Sequence, residues 1–167
     1  CDISSSKRIF AKEYVSSGVP FYRGKEIIQL HEGNDVNNEL FISEERFQEI
    51  AKKFGYPKPG DILLTSVGTL GIPYYVESKT PFYFKDGNLT WFRNFNNVRG
   101  RYIYYWFFSN IAKKQIDSKC IGSTQKALTI ATLKDFDIAL PSLEEQKKVI
   151  SILDSLQLKI SINKKIN

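Results

Sequence analysis

Histidine is almost missing from this chain of 167 residues: His31 is the only one, and methionine does not occur. His31 lies in Leu30-His31-Glu32-Gly33-Asn34, a loop by composition. No Ser or Cys nucleophile stands at a motif spacing from it, so it is not read as catalytic. Cysteine is equally scarce. Cys1 and Cys120 are too few for a disulfide framework and lack metal-ligand spacing. They read as two reduced thiols in a cytoplasmic protein. Long apolar runs are absent too. The densest, Tyr102 to Phe108, is far short of a membrane span, and no secretory signal pattern opens the chain. A start at Cys1 with no methionine reads as a fragment or a processed product. There is no P-loop, GxGxxG, HExxH or Cys-pair zinc signature. Asp61, Asp86, Asp135 and Asp137 read as turn or cap residues rather than a carboxylate pair. These absences favour a binding module over an enzyme.

What the chain does have is unevenly placed positive charge. The length suits one domain with a short appendage. The net charge is +6. Between Arg93 and Lys134 there are eight basic residues (Arg93, Arg99, Arg101, Lys113, Lys114, Lys119, Lys126, Lys134) and one acid, Asp117, a net of +7. The remainder holds 16 basic and 17 acidic residues, a net of −1. Concentrated cations favour a polyanionic partner. Inside this segment lies Gly122-Ser123-Thr124-Gln125-Lys126-Ala127-Leu128. Its glycine frees the backbone. Gln125 can both donate and accept at a base edge, and Lys126 suits a phosphate or a guanine.

The hydrophobic pattern predicts an α+β fold. Ser43 to Phe54 reads as a helix, with Ser43 as cap, Glu44 and Glu45 at its positive end, and Gly55 as its stop. Phe47, Ile50, Ala51 and Phe54 share one face. Ile62 to Val67 and Ile72 to Val76 read as strands separated by Gly68-Thr69-Leu70-Gly71. That tetrapeptide can present backbone N–H groups to a phosphate but is too short to imply a nucleotide site. Phe82 to Phe84 and Leu89 to Phe92 flank Asp86-Gly87, a hairpin signal. Arg101 to Lys119 reads as one helix, and Asp137 to Leu140 as a last strand closed by Pro141. Ser142-Leu143-Glu144-Glu145 is a capping box. After it, Val149, Leu153, Leu156, Ile160 and Asn163 step by four, three, four and three, a coiled-coil seam of two to three heptads.

Four segments, in order, resemble one family: the specificity subunits of type I restriction-modification systems. Gly18-Val19-Pro20-Phe21-Tyr22-Arg23-Gly24-Lys25-Glu26-Ile27 is similar to its early segment. Gly60-Asp61-Ile62-Leu63-Leu64-Thr65-Ser66-Val67-Gly68-Thr69-Leu70-Gly71 is similar to its central signature. Gly122 to Leu128 followed by Leu133 to Pro141 resembles its late signature. Leu143-Glu144-Glu145-Gln146-Lys147-Lys148-Val149-Ile150 resembles the start of its spacer helix. The resemblance implies a target-recognition domain over 1–141, with a mixed or antiparallel sheet and flanking helices, and a long coiled-coil-type helix over 142–167. It implies one reader of half a split DNA sequence, since a complete subunit of this kind has two such domains joined by two antiparallel helices. The chain would then be a half subunit, a fragment or a truncated product.

By the same resemblance, adenine methylation and cleavage belong to methyltransferase and restriction subunits. Those partners would carry S-adenosylmethionine, ATP and Mg, and this chain would carry no cofactor and no metal. The expected partners are double-stranded DNA, those subunits, and a second copy or half-subunit met through the C-terminal helix, with no membrane. The expected DNA-binding residues are Arg23, Lys25, Ser66, Gly68, Thr69, Gly71, Ser123, Thr124, Gln125 and Lys126. The expected helix interface is Val149, Leu153, Leu156, Ile160 and Asn163. Two alternatives stay open: an interaction module docking through that helix, with the basic face incidental, and a fragment of a DNA methyltransferase with its own recognition domain.

Overall fold

Ile62, Leu63 and Leu64 are each 0% exposed, so the strand they form is covered on both faces. It is the centre of the molecule. The structure, a computed structural model, describes residues 1–37, 39–120 and 126–166. Strand β5 (Ile62–Thr65) lies between β8 (Leu89–Arg93) and β6 (Pro73–Tyr75), with β1 (Asp2–Ser4) beyond β8, all antiparallel. Among the described residues a second four-stranded sheet has the order β2 (Tyr14–Val15), β4 (Phe41–Ile42), β3 (Val19–Tyr22), β7 (Tyr83–Phe84). Its β3–β7 pair is parallel. The architecture is α+β, as expected from the pattern.

Alternation along β5 and β8 divides the core. Ile62, Leu64 and Phe92 face α3 (Gly100–Trp106) and α4 (Asn110–Lys119), packing against Ile103, Trp106, Phe107 and Ile116. Leu63, Leu89 and Trp91 face the other way, onto Ile27 of α1 (Gly24–His31) and Phe84 of β7. A third cluster joins Phe47 and Ile50 of α2 (Glu44–Phe54) to Val19, Phe21, Ile42 and Tyr83 of the second sheet. Each fully buried large aliphatic residue contributes about 1.5–3 kcal/mol, so the continuous run in β5 is a principal anchor. Helix α2 begins as expected: the Arg46 amide donates to Ser43 Oγ at 3.2 Å, and Gly55 ends the helix at φ +81°. Phe54, however, is exposed, with the Lys7 ammonium 4.4 Å from its ring centroid.

Four local expectations are corrected. His31, expected in a loop, is the last residue of α1. The strands flanking Asp86-Gly87 do not pair with each other. β7 joins the second sheet and β8 the first, so the turn carries the chain between sheets. Both sides of β8 are already taken by β1 and β5, while Arg8 and Ser5 Oγ hold Asp86 and the Gly87 amide. The segment from Arg101 to Lys119 is two helices, because Ser109 caps a new one by accepting from the Ala112 amide at 3.1 Å. Asp137 to Leu140 forms no strand. Side chains take part of its backbone hydrogen bonding instead: Gln115 brackets Asp137, and the Tyr102 hydroxyl donates to Ala139 O.

Helix α5 (Ile130–Lys134) packs near β1, and α6 (Leu143–Ile166) ends the described chain. The predicted capping box is formed at the start of α6. The Glu145 amide donates to Ser142 Oγ at 3.3 Å, and the Ser142 amide donates to Glu145 Oε2 at 2.9 Å. The helix then packs on α3 through a polar seam. Buried Gln146 accepts from the Arg99 amide and donates to Pro141 O, both at 2.9 Å.

Candidate nucleic-acid interface

The loop after β5 is closed by one side chain. Thr65 Oγ1 accepts from the Ile72 amide at 2.9 Å, while Thr65 O accepts from the Gly71 amide at 2.8 Å. Gly68 and Gly71 have φ of +79° and +75°, the left-handed region that glycine adopts without penalty. A Cβ on Gly71 would stand 2.5 Å from Ile116 Cδ1, so that glycine lets the loop sit on α4. Gly68 and Thr69 are left exposed.

A second segment meets this loop from 60 residues further along. Val67 forms an antiparallel bridge with Ala127, and the Leu128 amide donates to Ser66 O at 2.9 Å. That register sets exposed Lys126 opposite Gly68. Leu128 is buried, and Thr129 caps α5 by accepting from the Thr132 amide at 3.0 Å, so the segment is fixed on the C-terminal side of the bridge. The Ser66 amide donates to Asn88 O at 2.8 Å, which brings the Asp86–Asn88 turn to the same edge. Three surface segments therefore converge, and two of them carry the signatures singled out in the sequence.

The ten expected DNA-binding residues divide accordingly. Gly68, Thr69 and Lys126 are exposed and together. Ser123, Thr124 and Gln125 lie outside the described residues. Ser66 is corrected: it is 3% exposed, and its hydroxyl is engaged with Thr90 Oγ1 at 2.7 Å and Leu64 O at 3.2 Å. It braces the loop from inside. Gly71 is likewise a packing position. Arg23 and Lys25 stand at the start of α1 with carboxylate partners. Arg23 Nη2 is 2.6 Å from Glu26 and 2.7 Å from Glu39, and Lys25 Nζ is 2.7 Å from Glu39. Burial pushes the Glu26 carboxyl up, but the Arg23 guanidinium and backbone amides outweigh it and hold it below its usual value. A phosphate would have to displace Glu39 to reach either cation. The pairing of Val67 with Ala127, and the supporting roles of Thr90 and Asn88, had no sequence signal, because they arise from tertiary contact alone.

The basic segment also divides. Arg93 stacks on Trp91, 4.1 Å from its ring centroid, and donates to Phe54 O. Arg99 donates to Leu143 O, and Lys119 to Asp135 O. Arg101 donates to Asp154 at 2.9 Å and Glu77 at 2.6 Å, and Tyr105 Oη donates to Asp154 at 2.5 Å. Burial pulls Arg101 down, but Asp154 and Glu77 outweigh it and hold the guanidinium above its ordinary value. Lys113, Lys114, Lys126 and Lys134 are exposed, and their ammonium groups have no hydrogen bond or ion pair among the described residues.

The C-terminal seam is shifted from expectation. Gln146, Ile150, Leu153 and Asp154 line the side turned to α3, and Leu153 is half-buried. Val149, Leu156, Ile160 and Asn163 are exposed, and Ile152, at 62% exposure, joins them in place of Leu153. Asp154, bonded to Arg101 and Tyr105, is half-buried beside Leu153, and that pairing is invisible to heptad spacing.

His31 is structural in this setting: Nδ1 lies 2.7 Å from Pro73 O and the ring stacks on Phe108. Among the described residues no group of His, Cys, Asp and Glu could hold a metal ion, and no helix is long and apolar enough to cross a membrane.

Fold and edge together define an α+β unit with convergent surface loops and a helical arm. The whole chain, residues 1–167, matches the family described as type I restriction modification DNA specificity domain. The chain belongs to that family. It is 35% identical over 157 residues to a protein of Haemophilus influenzae provisionally named a type I restriction enzyme specificity subunit, covering 90% of this chain and 36% of that one. It is 31% identical over 159 residues to the type I restriction enzyme MjaIX specificity subunit of Methanocaldococcus jannaschii, covering 93% and 35%. Among solved structures, the HsdS subunit of Thermoanaerobacter tengcongensis aligns with TM-score 0.68 at 18% identity, over 99% of this chain and 37% of that one. The chain thus spans little more than a third of the length of these relatives.

Proposed function

We propose that this chain reads one part of a duplex DNA sequence as the specificity component of a type I restriction-modification assembly in the cytoplasm. The observation that carries this reading is the Val67–Ala127 bridge, which sets the family's central and late signatures side by side with Lys126 outward. Gly68 and Thr69 let DNA approach the backbone closely, and residues 123–126 supply side chains for base edges. The free lysines meet phosphates. Methyl transfer and cleavage fall to partner subunits, which carry S-adenosylmethionine, ATP and Mg. This chain is non-catalytic. Its C-terminal helix pairs with a second helix through Val149, Ile152, Leu156 and Ile160, with Asn163 as a polar register position.

Selection of bound sequences from a random duplex pool by the full chain tests the reading. Enrichment of one short motif is expected. Retention without enrichment would reduce the chain to a non-specific binder. Sedimentation across a concentration series tests the helix. The wild type should associate, and I152E with L156E should leave a folded monomer. A wild type that stays monomeric at high concentration would remove self-pairing from the proposal.

A further inference from the structure

Outside the basic segment the sequence is nearly neutral, yet the fold gathers cations there. Three open grooves adjoin one another on the surface. The first, about 230 Å³, lies at the loop edge between Val67, Ala127 and Gly87. The second, about 450 Å³, continues from Gly87 along the turn to Arg8. The third, about 320 Å³, continues from Arg8 to Lys53 and Phe54 on α2. Neighbouring grooves share a wall residue, Gly87 and then Arg8, so the three form a row of adjoining grooves, a furrow leading away from the loop pair.

Five cations from three distant segments line the last two grooves: Lys7, Arg8, Arg46, Lys53 and Lys85. Two carboxylates line them as well, Asp86 and Glu49. Asp86 pairs with Arg8 at 2.8 Å, and Glu49 with Arg46 at 3.1 Å, while Arg46 also meets Glu13. Lys7, Lys53 and Lys85 remain without a carboxylate partner among the described residues. An open, cationic furrow beside the proposed base-reading edge suits a regularly charged polymer, because duplex DNA presents about one negative charge every 1.7 Å of its axis.

We infer that this furrow holds the phosphate backbone of DNA flanking the recognised bases, so the chain's footprint extends past its recognition loops across the N-terminal strand edge to α2. The inference rests on the DNA-reading function proposed above and adds a sequence-independent part to it. Such contacts would raise affinity for every sequence alike and place the duplex in register.

The test compares the full chain with a Lys7→Gln, Lys53→Gln, Lys85→Gln variant, titrating the selected duplex and a scrambled one against salt. The log–log salt slope should shrink by about 2–3, at about 0.9 for each phosphate that no longer meets a lysine. The preference for the selected sequence should be unchanged. Trimming one flank of the duplex should weaken the wild type but not the variant. Lys53→Gln alone, at an exposed position, should shrink the slope by about 0.9. If the wild type selects a sequence but the variant keeps its full slope and flank dependence, the furrow does not meet DNA. If the variant instead loses a partner subunit, the furrow is a protein-docking face and the inference is overturned. If the wild type selects no sequence, the proposed function itself fails.

Discussion

Arg99 and Arg101 at the α3–α6 junction and Lys126 at the loop edge come from the same basic segment and are put to opposite use. At the junction each guanidinium has a protein acceptor: Leu143 O for Arg99, Asp154 and Glu77 for Arg101. Arg101 also lies 4.7 Å from the Tyr75 ring centroid and 5.3 Å from that of Tyr104. At the edge, Lys126 is exposed with no such acceptor among the described residues. Local charge density marks a segment, while the partner of each cation decides its work. An arginine fork suits fixed, stacked and bidentate geometry, and a solvated lysine suits a mobile phosphate.

Arg101→Ala would strand Asp154 beside Tyr105 and remove the stacked guanidinium. A loss of about 2–3 kcal/mol is expected, seen as a melting temperature about 5–10 °C lower. The salt slope of DNA binding by the folded variant should stay that of the wild type. A lowered slope would show that Arg101 meets DNA.

On the loop side, Gly71→Ala places a side chain on a left-handed residue packed against α4. The left-handed φ alone should cost about 1–2 kcal/mol, and Ile116 must also give way. Stability should therefore fall, and DNA binding should weaken for all sequences alike. A fully stable variant that binds poorly would make Gly71 a direct approach point for DNA.

A smaller effect is expected at high pH. Burial, and then the Asp154 carboxylate, push the Tyr105 phenol up to about 12 from an ordinary 10.0. The phenol keeps its proton in the folded state where the unfolded chain loses it. Its contribution is thus fully present below pH 10 and is lost as pH rises toward about 12. Denaturant midpoints measured from pH 9 to 12 should fall less steeply for Tyr105→Phe than for wild type. Parallel curves would show that Tyr105 does not couple α6 to α3.

Elements with strong local chemistry were legible in the sequence. Ser43 and Gly55 bounded α2, the Ser142–Glu145 box began α6, and the apolar run of β5 marked the core. Readings that depend on a distant partner were not. Ser109 ends what looks like a single helix by offering a cap, and Gln115 satisfies the backbone of Asp137 where a strand was expected. The candidate site was half legible. Its two signatures were found separately, but the bridge joining them spans 60 residues. Ser66 shows the opposite error: a polar residue in a signature loop reads as a surface contact until Thr90 is found against it.

If the free lysines, and not the junction arginines, face DNA, salt slopes will separate the two groups. Lys113, Lys114, Lys126 and Lys134 would be changed together to Gln and the binding of the selected duplex titrated against salt, with wild type alongside. All four are exposed, so the melting temperature should hold. The log–log slope should shrink by as much as about 3.6, or about 0.9 for each lysine that meets a phosphate. An unchanged slope in a folded variant would contradict the claim and place the DNA elsewhere on the molecule.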